Sequence, residues 1–440
     1  MNRVEAAWLG VLLVIGMLTH FLFLARPNQV VFDEVHFGKF ITAYCCTHER
    51  FFDIHPPHSK LLIAGTAYVF GYRGDFDFKH IGEVYPPSVS SFALRVFPAL
   101  TGLIVPLIFF IILRQLGVSA SGAGFGALLV ALDNALLVQT RLIALDGTLL
   151  VATFGSLSAF LAAEKRKGIT FVGYTLLSGT LAGLAVGTKL TGLAIVLLLG
   201  VLLICQLIRE RTWRNVQQRT GQLFFLGAAF LVVYAAGWAL HFALLTKPGS
   251  GDVWGIPQFE KPLVVSFVRE TIELHKTMFD ANYNLTATHP YSSSWWAWPL
   301  MKKPVFYWQG AGHAVIYFLG NPAVWWGSSL LLIGAFVSTL FRPRKLFELY
   351  NWMPWAGFLI ALGPMVRIPR ALFMYHYLTP LLFAVLAGVL WLDHLAIFHR
   401  KNIYTGLIGL LVLSWILVAP VTYGIAVSAE WWQVLQHMLP

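Results

Sequence analysis

The stretch FALRVFPALTGLIVPLIFFIIL, residues 92–113, decides the class of the fold. It carries one charged residue, Arg95, and it is long enough to cross a bilayer, because a transmembrane helix needs about 20 apolar residues. Ten further apolar spans can be placed in the same way, at 7–25, 122–140, 145–163, 170–187, 190–208, 222–245, 322–340, 352–367, 377–395 and 403–427. The sequence therefore predicts an all-α polytopic membrane protein with about 11 transmembrane helices.

The composition excludes most other classes of protein. Asp, Glu, Lys and Arg make up 12% of the 440 residues, whereas soluble domains carry about 25%. Hydrophobic residues make up 58% of the chain, and the mean hydropathy is +0.70. These values exclude a soluble globular enzyme, a disordered chain and a disulfide scaffold. Cys45 and Cys46 are adjacent, and adjacent cysteines rarely form a disulfide with each other, so we expect no disulfide. Cys205 completes no metal-binding spacing, so we expect no zinc site.

The basic residues predict the orientation of the chain. The net charge is +11, and the strongest basic clusters follow predicted spans 4, 6, 8 and 10, at Lys165–Lys167, Arg209–Arg219, Arg342–Lys345 and His399–Lys401. Because positive loops stay in the cytoplasm, these clusters leave two long loops outside, 26–91 and 246–321. We expect one membrane domain over 1–440, with the loop 26–91 catalytic and a C-terminal transmembrane part at 322–427.

Ionisable residues at the outer ends of the spans indicate a site. A charge at a helix centre costs about 2.5–3.5 kcal/mol, so charges that persist near the membrane need a reason. The outer loops and helix ends contain Asp33, Glu34, His36, His55, Lys60, Arg95, Arg141, Asp146, Lys189, Arg367, Arg370 and His376. Any one of them can be a helix cap or an interfacial cation. As a set they predict a shared site for an anionic substrate, in which cations bind phosphate and a carboxylate serves as general base.

The first outer loop contains two dense motifs. Phe32 to Phe40 reads FDEVHFGKF, and Asp53 to Lys60 reads DIHPPHSK. Pro56-Pro57 favours an extended entry into a short helix, because proline restricts the residue before it and suits a first helical turn. We expect this helix, which includes the apolar run Leu61 to Phe70, to lie at the membrane interface rather than to span it.

These motifs and several later ones occur together in a known family. The others are Asp133-Asn134, Gln139 to Ile143, Leu145-Asp146, His241 to Leu245, Asn284 to Tyr291, Trp296 to Pro299, Gly320 to Pro322, and Tyr375 to Tyr377 with Pro380. With these motifs in this order along the chain, the sequence resembles the protein O-mannosyltransferase family, whose members are membrane glycosyltransferases of the GT-C class.

The resemblance implies an activity. It implies a polyprenyl-phosphate-mannose donor, a Ser or Thr hydroxyl of a secreted or membrane protein as acceptor, and inverting, metal-independent transfer on the extracytoplasmic face. It implies eleven spans, in agreement with the charge pattern. The expected location is the plasma (inner) membrane, the expected partners are the donor lipid, membrane lipid and acceptor protein, and no cofactor, metal or nucleic acid is expected.

The resemblance also assigns roles to residues. The family's catalytic Asp corresponds to Asp33, with Glu34 beside it as a second catalytic candidate, and the family's intramembrane Arg corresponds to Arg95. From their charge and their predicted position, we expect Arg95, Arg141, Lys189 and Arg370 to bind the donor phosphate. The remaining expected site residues support the substrates and are His36, His55, Lys60, Asp146, His289, Tyr375 and His376.

Two alternatives remain at this point. Eukaryotic members carry a MIR domain in the loop after span 7, but the 76 residues of 246–321 are too few for one. This indicates a prokaryotic-type member and leaves open a lipid or cell-wall glycan as acceptor. A transporter or channel would show charges near mid-membrane and repeated broken helices, a pattern that the sequence does not favour.

Overall fold

The structure is a computed structural model that describes residues 2–209, 211–254, 263–284, 288–341, 349–395 and 400–436. The predicted basic cluster Arg342–Lys345, and His399 of the last cluster, lie outside these ranges. The helices are α1 (Arg3–Phe21), α2 (Glu34–Thr42), α3 (His58–Val69), α4 (Ser91–Gln115), α5 (Ala120–Ala131), α6 (Asn134–Thr140), α7 (Asp146–Ala163), α8 (Gly168–Thr188), α9 (Leu193–Arg209), α10 (Trp213–Leu244), α11 (Leu263–Asn284), α12 (Pro322–Phe341), α13 (Leu349–Leu362), α14 (Leu378–Leu395), α15 (Arg400–Tyr423) and α16 (Ala429–Gln436).

The helices confirm an all-α multi-pass membrane protein. In the described part of the chain, eight helices are long and apolar enough to cross a membrane, and the bent pair α5–α6 makes nine. Each of the eleven predicted spans overlaps a helix, but α12 has only a shorter apolar segment, Pro322–Ser338, and α13 has 14 residues. The count of eleven therefore stays a prediction.

The bend of 58° between α5 and α6 is fixed by Asp133. Its carboxylate accepts hydrogen bonds from the backbone N–H of Leu136 at 2.8 Å and of Asn321 at 3.1 Å, and from Trp325 Nε1 at 2.8 Å. The first bond caps α6, since an Asp before a helix satisfies a free N–H of its first turn. The other two attach the start of α12 to the break. The bend was not expected from the continuous apolar run 122–140.

Small residues bring α8 and α10 close together. A Cβ on Gly179 would lie 2.2 Å from the carbonyl oxygen of Leu226, and one on Gly183 would lie 2.7 Å from that of Phe230. Such close backbone approach is how transmembrane helices gain packing energy without a hydrophobic drive between them. The tight contact holds the outer end of α8, where Lys189 follows.

The first outer loop folds as α2, a π-helical turn (Ala43–Thr47) and α3, and it is attached to the second loop. Arg50 binds Asp252 by Nε–Oδ1 at 2.6 Å and Nη2–Oδ2 at 3.2 Å. Within the π-helical turn Cys45 and Cys46 form a disulfide, so the expectation of no disulfide is wrong. That expectation rested on the rarity of adjacent pairs, and sequence spacing does not reveal the turn that allows one.

A short antiparallel sheet, which the sequence analysis did not predict, lies at the end of the helices that carries the first loop. It consists of β1 (Val305–Gln309) and β2 (Val315–Phe318), with a bulge between Phe306 and Trp308. Its contact with the first loop is direct, because the N–H of Phe32 donates to the carbonyl of Tyr307 at 3.1 Å. The hairpin thereby fixes the backbone immediately before Asp33.

Candidate active site

Asp33 directly precedes α2 and is the centre of the site. Among the described residues its carboxylate forms no hydrogen bond or ion pair, although burial raises its pKa to about 7. The nearby carboxylates Asp146 and Asp53 also raise the pKa of Asp33, while Lys189 opposes them. A carboxylate with such a pKa is half ionised near neutral pH and can accept a proton there.

The backbone before Asp33 adopts an uncommon conformation. Phe32 has φ of 45°, in the left-handed region that bulky residues rarely enter. Its ring stacks on that of Tyr307 with centroids 4.0 Å apart and planes 5° apart. The stack and the hydrogen bond to the Tyr307 carbonyl hold this conformation in place, so the hairpin determines where the Asp33 carboxylate lies.

A second carboxylate beside Asp33 is fully engaged. Asp146, at the start of α7, binds Lys189 Nζ through Oδ1 at 2.7 Å and Gln139 Nε2 through Oδ2 at 2.7 Å. The hydroxyl of Tyr307 donates to Gln139 Oε1 at 2.6 Å, which orients that amide. Asp146 is therefore unsuited to act as the base, and it sets the position of the Lys189 ammonium.

Arg370, in the loop between α13 and α14, brings a cation with spare donors to the site. Its buried Nε has no hydrogen-bond partner within the described ranges. The charge of Arg370 acts on His55 and His376, as does that of Lys189, so the two cations approach the same groups. Tyr375 lies between them, with its ring 5.7 Å from Lys189 Nζ.

His55 and Lys60 form the wall of the site on the side of the first loop. Burial, followed by the charges of Lys189, Lys60 and Arg370, lowers the pKa of His55 well below its usual value, so this imidazole is neutral. Lys60 forms a buried ion pair with Asp53 and donates to the carbonyl of His55 at 2.7 Å. Lys60 therefore fixes the loop and has two of its three N–H donors engaged.

Glu34 and Arg95 lie behind the site and bind each other. The guanidinium donates to both Glu34 oxygens at 2.8 Å and uses its remaining N–H groups on the carbonyls of Leu24, Pro27 and Gln29, at 2.8–3.3 Å. Both side chains are 0% exposed. The structure therefore corrects two expectations: Arg95 has no donor left for a phosphate, and Glu34 has no free oxygen for proton transfer.

Arg141 is likewise occupied. Its Nη1 donates to the carbonyls of Thr19 at 2.7 Å and Leu22 at 2.9 Å, at the end of α1. Its guanidinium lies 4.3 Å from the centre of the Tyr423 ring. Free carbonyls at a helix C-terminus attract a cation, which explains this arrangement without a ligand. The expected role of Arg141 in phosphate binding is not supported.

Two expected support residues lie at the rim. His36 is exposed on α2, and His289 is exposed in the second loop, with its ring centre 5.0 Å from that of Phe373. His376 lies deeper, between Tyr375 and Trp298, with ring centroids 4.7 Å and 6.1 Å away. Across the described ranges, no group of three His, Cys, Asp or Glu side chains could hold a metal ion.

Three residues of the site were not among the predicted site residues. Asp53 belongs to a quoted motif and pairs with the predicted Lys60, so the motif was its signal. Gln139 is also in a quoted motif and donates from α6 to Asp146 at the start of α7. Tyr307 had no sequence signal, because its role depends on the unpredicted hairpin.

Comparison with known proteins agrees with this geometry. Residues 10–247 match the family profile described as dolichyl-phosphate-mannose-protein mannosyltransferase. Residues 267–439 match the C-terminal four TMM region of protein-O-mannosyltransferase. The chain is 34% identical over 272 residues to dolichyl-phosphate-mannose–protein mannosyltransferase 4 of Candida albicans, a match that covers 59% of this chain and 36% of that protein. It is 33% identical over 260 residues to protein O-mannosyltransferase 1 of Drosophila melanogaster, covering 56% and 28%. The chain thus spans about a third of the length of the curated relatives it matches.

Solved structures show the same fold. The S. cerevisiae protein O-mannosyltransferase Pmt1-Pmt2 complex bound to the sugar donor matches with a TM-score of 0.90 at 19% identity, over 99% of this chain and 92% of that one. ArnT from Cupriavidus metallidurans matches with a TM-score of 0.56 at 17% identity, over 94% and 64%. At these identities the likeness concerns the fold, which is the GT-C fold that the sequence predicted. Since one family profile covers more than half of the chain, the protein belongs to the dolichyl-phosphate-mannose-protein mannosyltransferase family.

Proposed function

We propose that this protein transfers mannose from a polyprenyl-phosphate-mannose donor to Ser or Thr hydroxyls of proteins. The observation that carries the proposal is the Asp33 carboxylate with its pKa raised to about 7 near Lys189, together with Arg370, which acts on the same histidines as Lys189. A base and a phosphate site are the two requirements of this reaction. The family membership supports the same chemistry.

The reaction needs one proton transfer and one displacement. Asp33 accepts the hydroxyl proton as the acceptor oxygen attacks C1 of mannose. The bond from C1 to the phosphate oxygen breaks, and the electron pair leaves with the polyprenyl phosphate. Attack opposite to the leaving group inverts the anomeric centre. A phosphate is already a good leaving group, so the site must stabilise its charge rather than protonate it.

Lys189 and Arg370 are the residues we assign to the phosphate. Arg370 has an unpartnered buried donor, and an Arg can bind phosphate oxygens with two parallel hydrogen bonds. Lys189 holds three N–H donors, of which one is used on Asp146 and the others remain for a substrate. Glu34 and Arg95 take a positioning role instead, because they fix the chain on both sides of Val31 and Phe32.

The proposal includes the placement in the cell. We infer that the site faces the outside of the plasma (inner) membrane, because Lys165–Lys167, the one basic cluster that falls wholly on described residues, follows α7 at the opposite end of that helix from Asp146. We infer one domain over 1–440, in which the loop 26–91 is the catalytic loop, 246–321 is the second outer loop and 322–427 forms the C-terminal transmembrane part. The partners are the donor lipid, the surrounding membrane lipid and the acceptor protein.

The second candidate function keeps the chemistry and changes the acceptor to a lipid or a cell-wall glycan. The observation behind it is the second outer loop, 246–321, whose 76 residues are too few for a MIR domain. The family profile over 10–247 and the match over 267–439 favour the protein acceptor.

A transfer assay on the purified protein in lipid nanodiscs tests the proposal. Polyprenyl-phosphate-[³H]mannose is supplied with a Ser/Thr peptide, with the same peptide carrying Ala at those positions, or with extracted membrane glycolipid. We expect label on the Ser/Thr peptide alone, released by an α-mannosidase as expected for inversion of a β-linked donor. Label on the glycolipid and none on the peptide would establish the second candidate.

A further inference from the structure

A cleft of about 490 Å³ opens beside the site, and no step of the proposed reaction has used it. One wall is the segment 288–296 of the second outer loop, and the other is the segment 365–372 between α13 and α14. The backbone N–H of Ser293 donates to the carbonyl of Leu372 at 2.9 Å and joins the two walls. We call this cavity the hydroxyl cleft, after Thr288, Ser292, Ser293 and Ser294 in its lining.

The hydroxyl cleft leads to the catalytic groups. Arg370 lines it and also acts on His55 and His376 in the site. Tyr375, five residues after Arg370, lies 6.5 Å from the ring of Phe32, which precedes Asp33. Arg370 and Tyr375 therefore connect the cleft to Asp33, since the charges of Arg370 and Asp33 both act on Tyr375.

The walls of the cleft offer what an extended polypeptide needs. Within the described ranges, the C=O groups of residues 368–371 and the N–H groups of Ile368, Arg370 and Ala371 form no backbone hydrogen bond, so they are available to pair with another chain. The hydroxyls of Ser292 and Ser294 also have no hydrogen-bond partner in the described part of the chain. Trp295 and Trp296 are 37% and 55% exposed at the mouth and present flat apolar surfaces to ligand side chains.

A second cavity has the opposite character. It measures about 760 Å³ and lies between α10 and α11, with Leu190, Tyr234, Ile272 and Phe279 in its lining. Leu190 follows Lys189 directly, so this cavity also reaches the proposed phosphate position. Its mainly apolar walls suit a hydrocarbon chain. In the hydroxyl cleft, a hydrocarbon chain would instead face the polar groups of the walls.

We propose that the hydroxyl cleft is the binding site of the acceptor polypeptide, which lies extended between segments 288–296 and 365–372 and presents its Ser or Thr at Arg370. This rests on the proposed function. It goes further in two respects, since it assigns the acceptor to one of two cavities and names Trp296 as a residue that determines acceptor affinity. A glycolipid has no row of amide groups to pair with residues 368–371.

The kinetic test uses Trp296→Ala in the purified protein. Removal of one aromatic surface should raise KM for the peptide by about 3–10-fold and leave KM for the donor lipid unchanged. The matched control is Trp431→Ala, because Trp431 is also an exposed tryptophan but lies on α16, outside the cleft. A rise in donor KM with an unchanged peptide KM would overturn the assignment, as would equal effects of the two variants.

A cross-linking test does not depend on turnover. Ser294→Cys in the hydroxyl cleft and Asp280→Cys in the apolar cavity are each made with Cys205→Ser, which removes the free thiol. A bromoacetyl-labelled Ser/Thr peptide should alkylate Cys at 294 and not at 280, and an excess of unlabelled peptide should compete. Labelling at 280 alone or at both sites equally would overturn the proposal. Failure of the proposed function is distinguishable, since it would show as absent mannose transfer in the unmodified protein.

Discussion

Arg95 and Glu34 form a two-point ion pair in which Nε–Oε1 and Nη2–Oε2 both measure 2.8 Å and neither side chain is exposed. Glu34 also accepts the N–H of Val31 at 2.9 Å, and that of Ile143 at 3.2 Å. One carboxylate thus joins α4, the first outer loop and the segment before α7. Asp33, its neighbour in the chain, takes part in none of these contacts.

The first prediction follows from this pair. Glu34→Gln and Arg95→Ala should each destabilise the protein by about 3–5 kcal/mol, because each leaves a buried charge without its partner. Activity should fall along with the melting temperature. Arg95→Lys should restore little, since an ammonium cannot make both bonds to the carboxylate. A stable Arg95→Ala protein with weakened donor binding would show that Arg95 binds the donor phosphate.

The second prediction concerns Asp33 itself. Asp33→Asn should lower kcat by about 10²–10⁴-fold, the usual contribution of a general base, and should leave donor binding intact. Its melting temperature should not fall, because the carboxylate makes no hydrogen bond that would be lost. The control is Asp75→Asn, an exposed Asp of the same loop. Near-normal turnover of Asp33→Asn would refute the assignment of the base.

The third prediction concerns pH. Asp33 must be ionised to accept a proton, and its pKa is raised to about 7, so kcat/KM should rise with pH and level off above about 7. The profile can be measured by mannose transfer between about pH 5.5 and 9 with the acceptor held below its KM. A rate that is flat down to about pH 5.5 would contradict a buried base.

The same pKa shift predicts a pH dependence of stability. Burial raises the pKa of Asp33 from 3.8 to about 7, so the unfolded chain loses this proton first as the pH rises. The contribution of Asp33 to stability is therefore fully present below 3.8 and is lost as the pH approaches 7. The melting temperature of the unmodified protein, measured relative to that of Asp33→Asn, should be lower at pH 8 than at pH 5. An equal difference in melting temperature between the two proteins at pH 5 and at pH 8 would show that the pKa of Asp33 is not raised.

The last prediction distinguishes the roles of Arg370 and Lys189. Arg370→Ala should weaken donor binding by about 10–150-fold, which corresponds to about 1.5–3 kcal/mol for a charged hydrogen bond, with little loss of stability. Arg367→Ala is the control, since Arg367 lies in the same loop and is exposed. Lys189→Ala should reduce both binding and stability, because it also leaves the Asp146 carboxylate unpaired. Donor binding can be measured with a fluorescent polyprenyl phosphate.

The sequence analysis predicted the helices better than the roles of the residues inside the site. Apolar runs identified spans because length and hydropathy are local properties, but the bend at Asp133 depends on contacts with Asn321 and Trp325, which are remote in sequence. Charge type selected Lys189 and Arg370, whose charges both act on His55 and His376 in the structure. It could not distinguish them from Arg95, whose donors are taken up by carbonyls of residues 24–29. Tyr307 was missed because nothing in its sequence neighbourhood predicts that a hairpin brings it against Phe32.

The ion pair between Arg50 and Asp252 has a consequence for how this architecture can vary. It fastens the second outer loop near its beginning, and the bond from Ser293 to Leu372 fastens it again before the hairpin. The intervening chain is held a third time where Leu274 and Met278 of α11 pack against Trp238 and Phe242 of α10. Extra sequence added between Trp254 and α11, or between α11 and Thr288, would leave these anchors and the catalytic groups undisturbed, since lengthening a connection costs little free energy. The fold thus has an insertion point at which an accessory module can be gained or lost without rebuilding the enzyme.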